Sequence, residues 1–176
     1  MQKSVASKNS NSTVTIALLT RSQAADVDRV FPGIKTIWQN PKAVAEALHW
    51  TRNWGSDPKA TGEIFFIARN GRRMGITGYF LKKATLDTAG LRWHGIVEEE
   101  RGYGYSTMAL KFLAEEIAQR HKGIKYLSEA LPLYRKDAMR YFKRLGFHEW
   151  DDPETEVDYA KVLNLRIGLA ELLRLV

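Results

Sequence analysis

A mixed α/β fold, a sheet covered by helices, is what this sequence predicts, and three observations predict it. Short runs rich in β-branched residues alternate with stretches of helical period. Each such segment has one apolar face to bury, and no repeat or linker interrupts the series. Helix, hairpin and crossover signals together give the order β-α-α-β-β-β-α-β-α-β-β.

Residues 14–19 (VTIALL) read as a strand. Thr20 and Gln23 form a capping box for a helix whose apolar positions are Ala24, Val27, Val30 and Phe31, closed by Pro32-Gly33. Asn40 before Pro41 starts a second helix, because asparagine caps free amides and proline is tolerated in the first turn. Val44, Ala47, Leu48 and Trp54 give it an inner face. Residues 63–69 are strand-like, Asn70-Gly71 is a hairpin turn, and residues 74–81 return. Residues 87–90 suggest another turn and 91–97 a third strand. A long helix over 105–122, with Ala109, Phe112, Leu113 and Ile117 inward, ends at Gly123. A strand over 124–131, a helix over 136–145, strands over 146–150 and 157–165, and a helical turn over 169–176 complete the reading.

Residues 1–13 are polar and are expected to be a disordered leader, without the apolar core of a signal peptide. Residues 14–176 are expected to form a single domain. A cytoplasmic location and no membrane partner follow from the same reading. The chain has no cysteine, which excludes disulfides, thiolate nucleophiles and cysteine-ligated metals. Its four histidines stand apart with no HxxxH pairing, so no metal is expected. Lys and Arg outnumber Asp and Glu 27 to 20, a net charge of +7 that favours anionic partners without choosing among them. The basic clusters are Arg72-Arg73, Lys82-Lys83, Arg120-His121-Lys122, Arg135-Lys136 and Lys143-Arg144.

The most informative stretch is residues 96–107, IVEEERGYGYST. A strand enters a loop with two glycines and a long helix leaves it. Glycine lets backbone approach a ligand closely, and a helix start offers amides and a positive dipole end to a pyrophosphate. Arg101 adds charge. Alone the pattern is weak, since Thr107 replaces the third glycine of a dinucleotide fingerprint. A second motif, residues 138–147 (AMRYFKRLGF), follows after one strand.

Together the two motifs resemble the GNAT superfamily of acetyl-CoA-dependent N-acetyltransferases. Arg101, Gly104 and Ser106 match that family's Arg/Gln-x-x-Gly-x-Gly/Ala loop, with serine in the last place, and Gly146-Phe147 match its later helix end. The resemblance covers residues 63–165. It implies a mostly antiparallel central sheet with a splayed strand pair, flanked by about four helices, and acetyl-CoA as co-substrate with no metal. The pantetheine would pair with backbone at Ile96 and Val97, and an amide there would polarise the thioester carbonyl. The pyrophosphate would sit on Arg101, Gly102, Tyr103, Gly104, Tyr105, Ser106 and Thr107. An amine acceptor would attack the thioester directly. The resemblance also allows a homodimer.

The sequence departs from the family at three places. Phe142 stands where a thiolate-protonating tyrosine is usual, Arg135 where an asparagine is usual, and residues 98–100 lack the usual proline. A thiol leaving group of pKa roughly 8.5 can be protonated by water, and Tyr134 and Tyr103 are other donors. The base matters more. Freeing a lysine-like amine of pKa about 10.4 at pH 7 costs about 4.6 kcal/mol, and an α-amine only about 1–1.4 kcal/mol. Glu129 is the first candidate: the resemblance implies a glutamate on this strand, although an ungapped count puts that position on Ala130, and alternation sets Glu129 with Leu127 and Leu131 where burial would raise its pKa. Glu98 is second and His94 third. Trp38, Trp50, Trp54 and Trp93 could line an acceptor pocket. A rival reading keeps the fold without transfer chemistry and gives the basic faces a large anion such as RNA or DNA, and a transfer RNA is also open as an acceptor.

Overall fold

The computed structural model describes residues 2–6, 13–38, 40–154 and 162–175. The chain divides into two compact units, one formed by Met1–Gly78 and Arg92–Ala109, the other by Tyr79–Leu91 and Leu110–Val176.

The first unit is built on antiparallel strands β1 (Gln2–Ala6), β2 (Thr13–Leu18) and β3 (Glu63–Arg69), followed by most of β4 (Arg72–Leu81). Gln2–Ala6 falls within the stretch 1–13 expected to be a disordered leader. Its backbone pairs with β2 from Gln2↔Ala17 to Ala6↔Thr13, because an otherwise open strand edge is a template even for a polar segment. The rest of that leader, residues 7–12, lies outside the described residues. Asn70 and Gly71 both have positive φ, 49° and 80°, as the predicted two-residue hairpin requires.

Helices α1 (Arg21–Ala25) and α2 (Val27–Val30) replace the single helix expected over this stretch; the break falls at Asp26. The Thr20–Gln23 capping box is present in both directions. A short α3 (Ile34–Ile37) follows the proline-glycine pair, and α4 (Pro41–Ser56) starts on the Asn40 cap as predicted. Arg21 ties the end of α4 down, donating to the carbonyls of Trp54, Asp57 and Ala60 while its guanidinium lies 4.1 Å from the Trp54 ring centroid. The core of this unit is Val14, Ile16, Ile64, Ile67, Met74 and Ile76 packed with Ala24, Val27, Ile34 and Trp54.

The second unit holds the end of β4, then β5 (Thr88–Leu91), β7 (Tyr126–Pro132), β9 (Val162–Gly168) and β8 (His148–Glu149) in that spatial order. Only β5 with β7 is parallel among the pairs within the described residues. The expected turn at 87–90 is instead where β5 begins, since small residues there let the strand sit between two neighbours. A Cβ on Gly90 would fall 2.2 Å from the Phe80 ring. Helices α6 (Lys136–Arg144) and α7 (Leu169–Arg174) belong to this unit, and the strand expected over 157–165 is seen as β9, its first residues lying outside the described ones.

Two elements pass from one unit into the other: β4 and the long helix α5 (Tyr105–Arg120). The strand expected over residues 91–97 is interrupted. Arg92 bonds opposite Gly78, and Ile96 stands opposite Gly75 in the two-residue strand β6 (Gly95–Ile96). Three steps along β4 thus face four along the other strand, which is a one-residue β-bulge. Trp93 sits in it with φ 47°, a left-handed conformation that costs a bulky residue on the order of 1–3 kcal/mol. No helix among the described residues is long and apolar enough to cross a membrane.

Candidate active site

The glycine loop lies wholly in the first unit. A 3₁₀ turn, Glu98–Glu100, leads from β6 into it, and α5 leaves it at Tyr105. Gly102 and Gly104 have φ of 87° and 80°, and nothing lies within 4 Å of where a Cβ would be at either. Glycine is needed here for backbone conformation rather than for lack of room, and the loop keeps an open approach. The Met108 amide makes an early helical bond, to Gly104 O, so the N–H groups of the first turn point out of the helix start. Residues 101–104 are exposed, Ser106 and Thr107 half-buried, and Tyr105 buried.

Three side-chain braces hold this loop. Arg101 turns inward: its Nε donates to Ile96 O at 3.0 Å and its Nη2 to Ile37 O at 2.6 Å. The charge assigned to a phosphate from the sequence is therefore first a tie between loop, β6 and α3. Glu100 is buried and accepts from Arg69 Nη2 at 2.9 Å, while its second oxygen has no partner among the described residues. Arg69 also bonds Tyr105, the first residue of α5, and that bond is the main cause holding the Arg69 guanidinium above its ordinary range. The third brace is His94. Its Nδ1 lies 2.9 Å from Thr77 Oγ1 and its Nε2 2.6 Å from Ser106 Oγ, and burial pushes the imidazole down to about 4.

The backbone candidates separate on inspection. Val97 N–H donates to Met74 O at 2.9 Å, so β4 already takes that amide. Alternation turns the Ile96 amide away from β4, leaving Ile96 rather than Val97 to offer an N–H at that edge. Glu98 is exposed on the 3₁₀ turn. His94, with both ring nitrogens engaged and the ring neutral, is poorly suited to be the base.

Glu129 belongs to the second unit, on β7 opposite Leu165. Alternation gives it the apolar company of Leu127 and Leu131, both buried. Although part of the residue remains at the surface, the carboxyl is deep enough for desolvation to push it up to about 8, against the opposing charge of Arg135. Arg135 in turn is shared with Asp137 at 3.3 Å, an ion pair that helps hold the Asp137 carboxyl below the usual range even as desolvation raises it. Phe142 is buried between Tyr141 and Phe147, and Tyr134 is 60% exposed.

Arg69, Glu100 and Thr77 were not singled out by the sequence.

No family profile and no curated protein matches the sequence. Solved structures do. A Desulfovibrio desulfuricans protein assigned to the GNAT family as an acetyltransferase matches with TM-score 0.69 at 16% identity, over 89% of this chain and 99% of that one. The chain has the GNAT fold. An acetyltransferase of Thermus thermophilus aligns with TM-score 0.63 at 18% identity, over 88% of this chain and 96% of that one. A spermidine N-acetyltransferase variant of Vibrio cholerae gives 0.60 at 13%, over 92% and 96% respectively. This GNAT-fold chain is thus a mixed α/β protein whose sheet is mostly antiparallel.

Proposed function

We propose that this chain is an acyl-CoA-dependent N-acyltransferase that moves an acetyl or other acyl group to a primary amine. The observation that carries the reading is the braced glycine loop: two left-handed glycines leading into a 16-residue helix, in a chain that shares its fold with acetyltransferases. In this reading the amides of residues 101–107 receive the pyrophosphate of the CoA moiety, and the Ile96 amide faces the pantetheine arm or the thioester carbonyl. The amine's lone pair forms the new C–N bond as the C–S bond breaks, the amine proton passes to a base, and the thiolate leaves.

Glu129 is the proposed base. A carboxyl near 8 is far better matched to an ammonium of about 10.4 than an ordinary carboxylate is. It is also close to the roughly 8.5 of a thiol, so the same group can return a proton to CoA where Phe142 has none to give.

The rival reading, a large anion on the basic faces, has less support. One member of each basic cluster is already paired with a carboxylate: Arg72 with Glu99, Lys82 with Asp152, Arg120 with Glu116, Arg135 with Asp137 and Lys143 with Glu149. Such pairing removes much of the field that nucleic acid would need.

Thiol release from acetyl-CoA, followed across a panel of primary amines, tests the assignment. Amine-dependent release above background hydrolysis is expected. Release that no amine accelerates, together with steeply salt-dependent RNA binding, would favour the rival.

A further inference from the structure

The bulge that interrupts the strand carries His94 next to the strained Trp93, and it aims the imidazole at two hydroxyls. Thr77, on β4, is fully buried; Ser106 is the second residue of α5, at the mouth of the glycine loop. Burial keeps the ring neutral, so it holds one N–H, and its two tautomers wire the hydroxyls in opposite senses. With the proton on Nδ1, the ring donates to Thr77 and Nε2 accepts the Ser106 O–H. Ser106 then shows only lone pairs to a ligand, which repel an anion. With the proton on Nε2, the ring donates to Ser106 Oγ, Thr77 donates to Nδ1, and the Ser106 O–H is no longer committed to the ring. No net proton is gained or lost between the two states.

We propose that His94 is a positioning residue for acyl-CoA binding, its Nε2–H tautomer fixing Ser106 as a hydroxyl donor to a pyrophosphate oxygen. The inference rests on the acyltransferase reading and adds to it. It gives a reason for serine in the loop's last place, where the resemblance led us to expect glycine or alanine. A small residue there would offer only its backbone amide; Ser106 adds a side-chain donor whose direction is set from the bulge behind it.

The test uses the whole chain labelled with ¹⁵N-histidine, with two-bond ¹H–¹⁵N correlations read before and after acetyl-CoA and the His94 signals assigned by their loss in His94→Gln. The bound state should show His94 protonated on Nε2. Ser106→Ala and His94→Gln should each raise KM for acetyl-CoA about tenfold, the loss expected for one hydrogen bond to a charged group, with kcat within about threefold. The double variant should be no worse than either single one, because both remove the same bond. Ser106→Ala changes a half-buried hydroxyl and keeps the kinetic arm open if His94→Gln fails to fold. Binding with His94 protonated on Nδ1, or Ser106→Ala without effect on KM, overturns the relay alone. Wild-type protein that binds no acetyl-CoA overturns the acyltransferase reading and the relay with it.

Discussion

Glu100 and Glu129, one in each unit, are two acids taken out of water in different ways, the first held by a cation and the second by its apolar surroundings. Glu100 keeps a cation in contact, Arg69 at 2.9 Å, and through Arg69 and Tyr105 it fixes the start of α5. Among the described residues Glu129 has no such contact. It sits in an apolar row, the charge opposing its shift is Arg135, and that guanidinium is divided with Asp137. A paired buried acid is a fastener; an acid left with desolvation and a weak counter-charge becomes one that can hold or release a proton near neutral pH.

The largest expected effect lies on the unpaired side. Glu129→Gln should lower kcat by about 10²–10³-fold for a lysine-like amine and by less for an α-amine, which scarcely needs a base. Wild-type kcat should rise with pH through an apparent pKa near 8, a limb that the variant lacks. Equal loss for both amines with an unchanged pH profile would remove Glu129 from the chemistry.

Next comes the paired side. Arg69→Met leaves Glu100 buried without its cation and should lower stability in denaturant titration. Adding Glu100→Gln should recover most of that loss. An Arg69→Met change with no effect would make the pair an ordinary surface contact.

The same contrast governs stability against pH. The folded protein holds the Glu129 proton up to about 8, while the unfolded chain releases it near 4.5, so stability falls as pH rises through that window. Glu129→Gln removes the loss and should be more stable than wild type at pH 9, by on the order of 1–3 kcal/mol, with no such gain at pH 4. His94 supplies the opposite and smaller limb. Its folded pKa is near 4 and its unfolded one near 6.5, so stability is lost as pH falls between them. His94→Gln should flatten that acid limb by about 1–2 kcal/mol in thermal melts at pH 4.5 against pH 7.

How far the molecule could be read from its residues follows the range of the interactions involved. The Asn40-Pro41 start of α4, the Asn70-Gly71 hairpin, the Thr20–Gln23 capping box and the glycine loop before α5 are set by neighbours within a few positions, and each is where local chemistry places it. The strand at Gln2–Ala6 exists only because β2 offers an edge, and residues 91–97 look like one strand until pairing with β4 forces in the extra residue at Trp93. The face on which Glu129 lies was legible from alternation alone. Glu100 and Arg101 were not: nothing in a charged run says which member turns inward to Arg69, or that Arg101 braces the carbonyls of Ile96 and Ile37.

The most direct test of the central claim is calorimetric titration of the wild-type chain and of Gly104→Asp with acetyl-CoA and with CoA. Gly104→Asp puts a negative side chain on the open face of the loop at φ 80°, which aspartate tolerates better than most residues, so the fold should survive. Wild-type protein should bind with Kd on the order of 1–100 μM, retained for CoA alone, and Gly104→Asp should not bind. Equal binding by both proteins, or no binding by folded wild type at millimolar ligand, would contradict the claim.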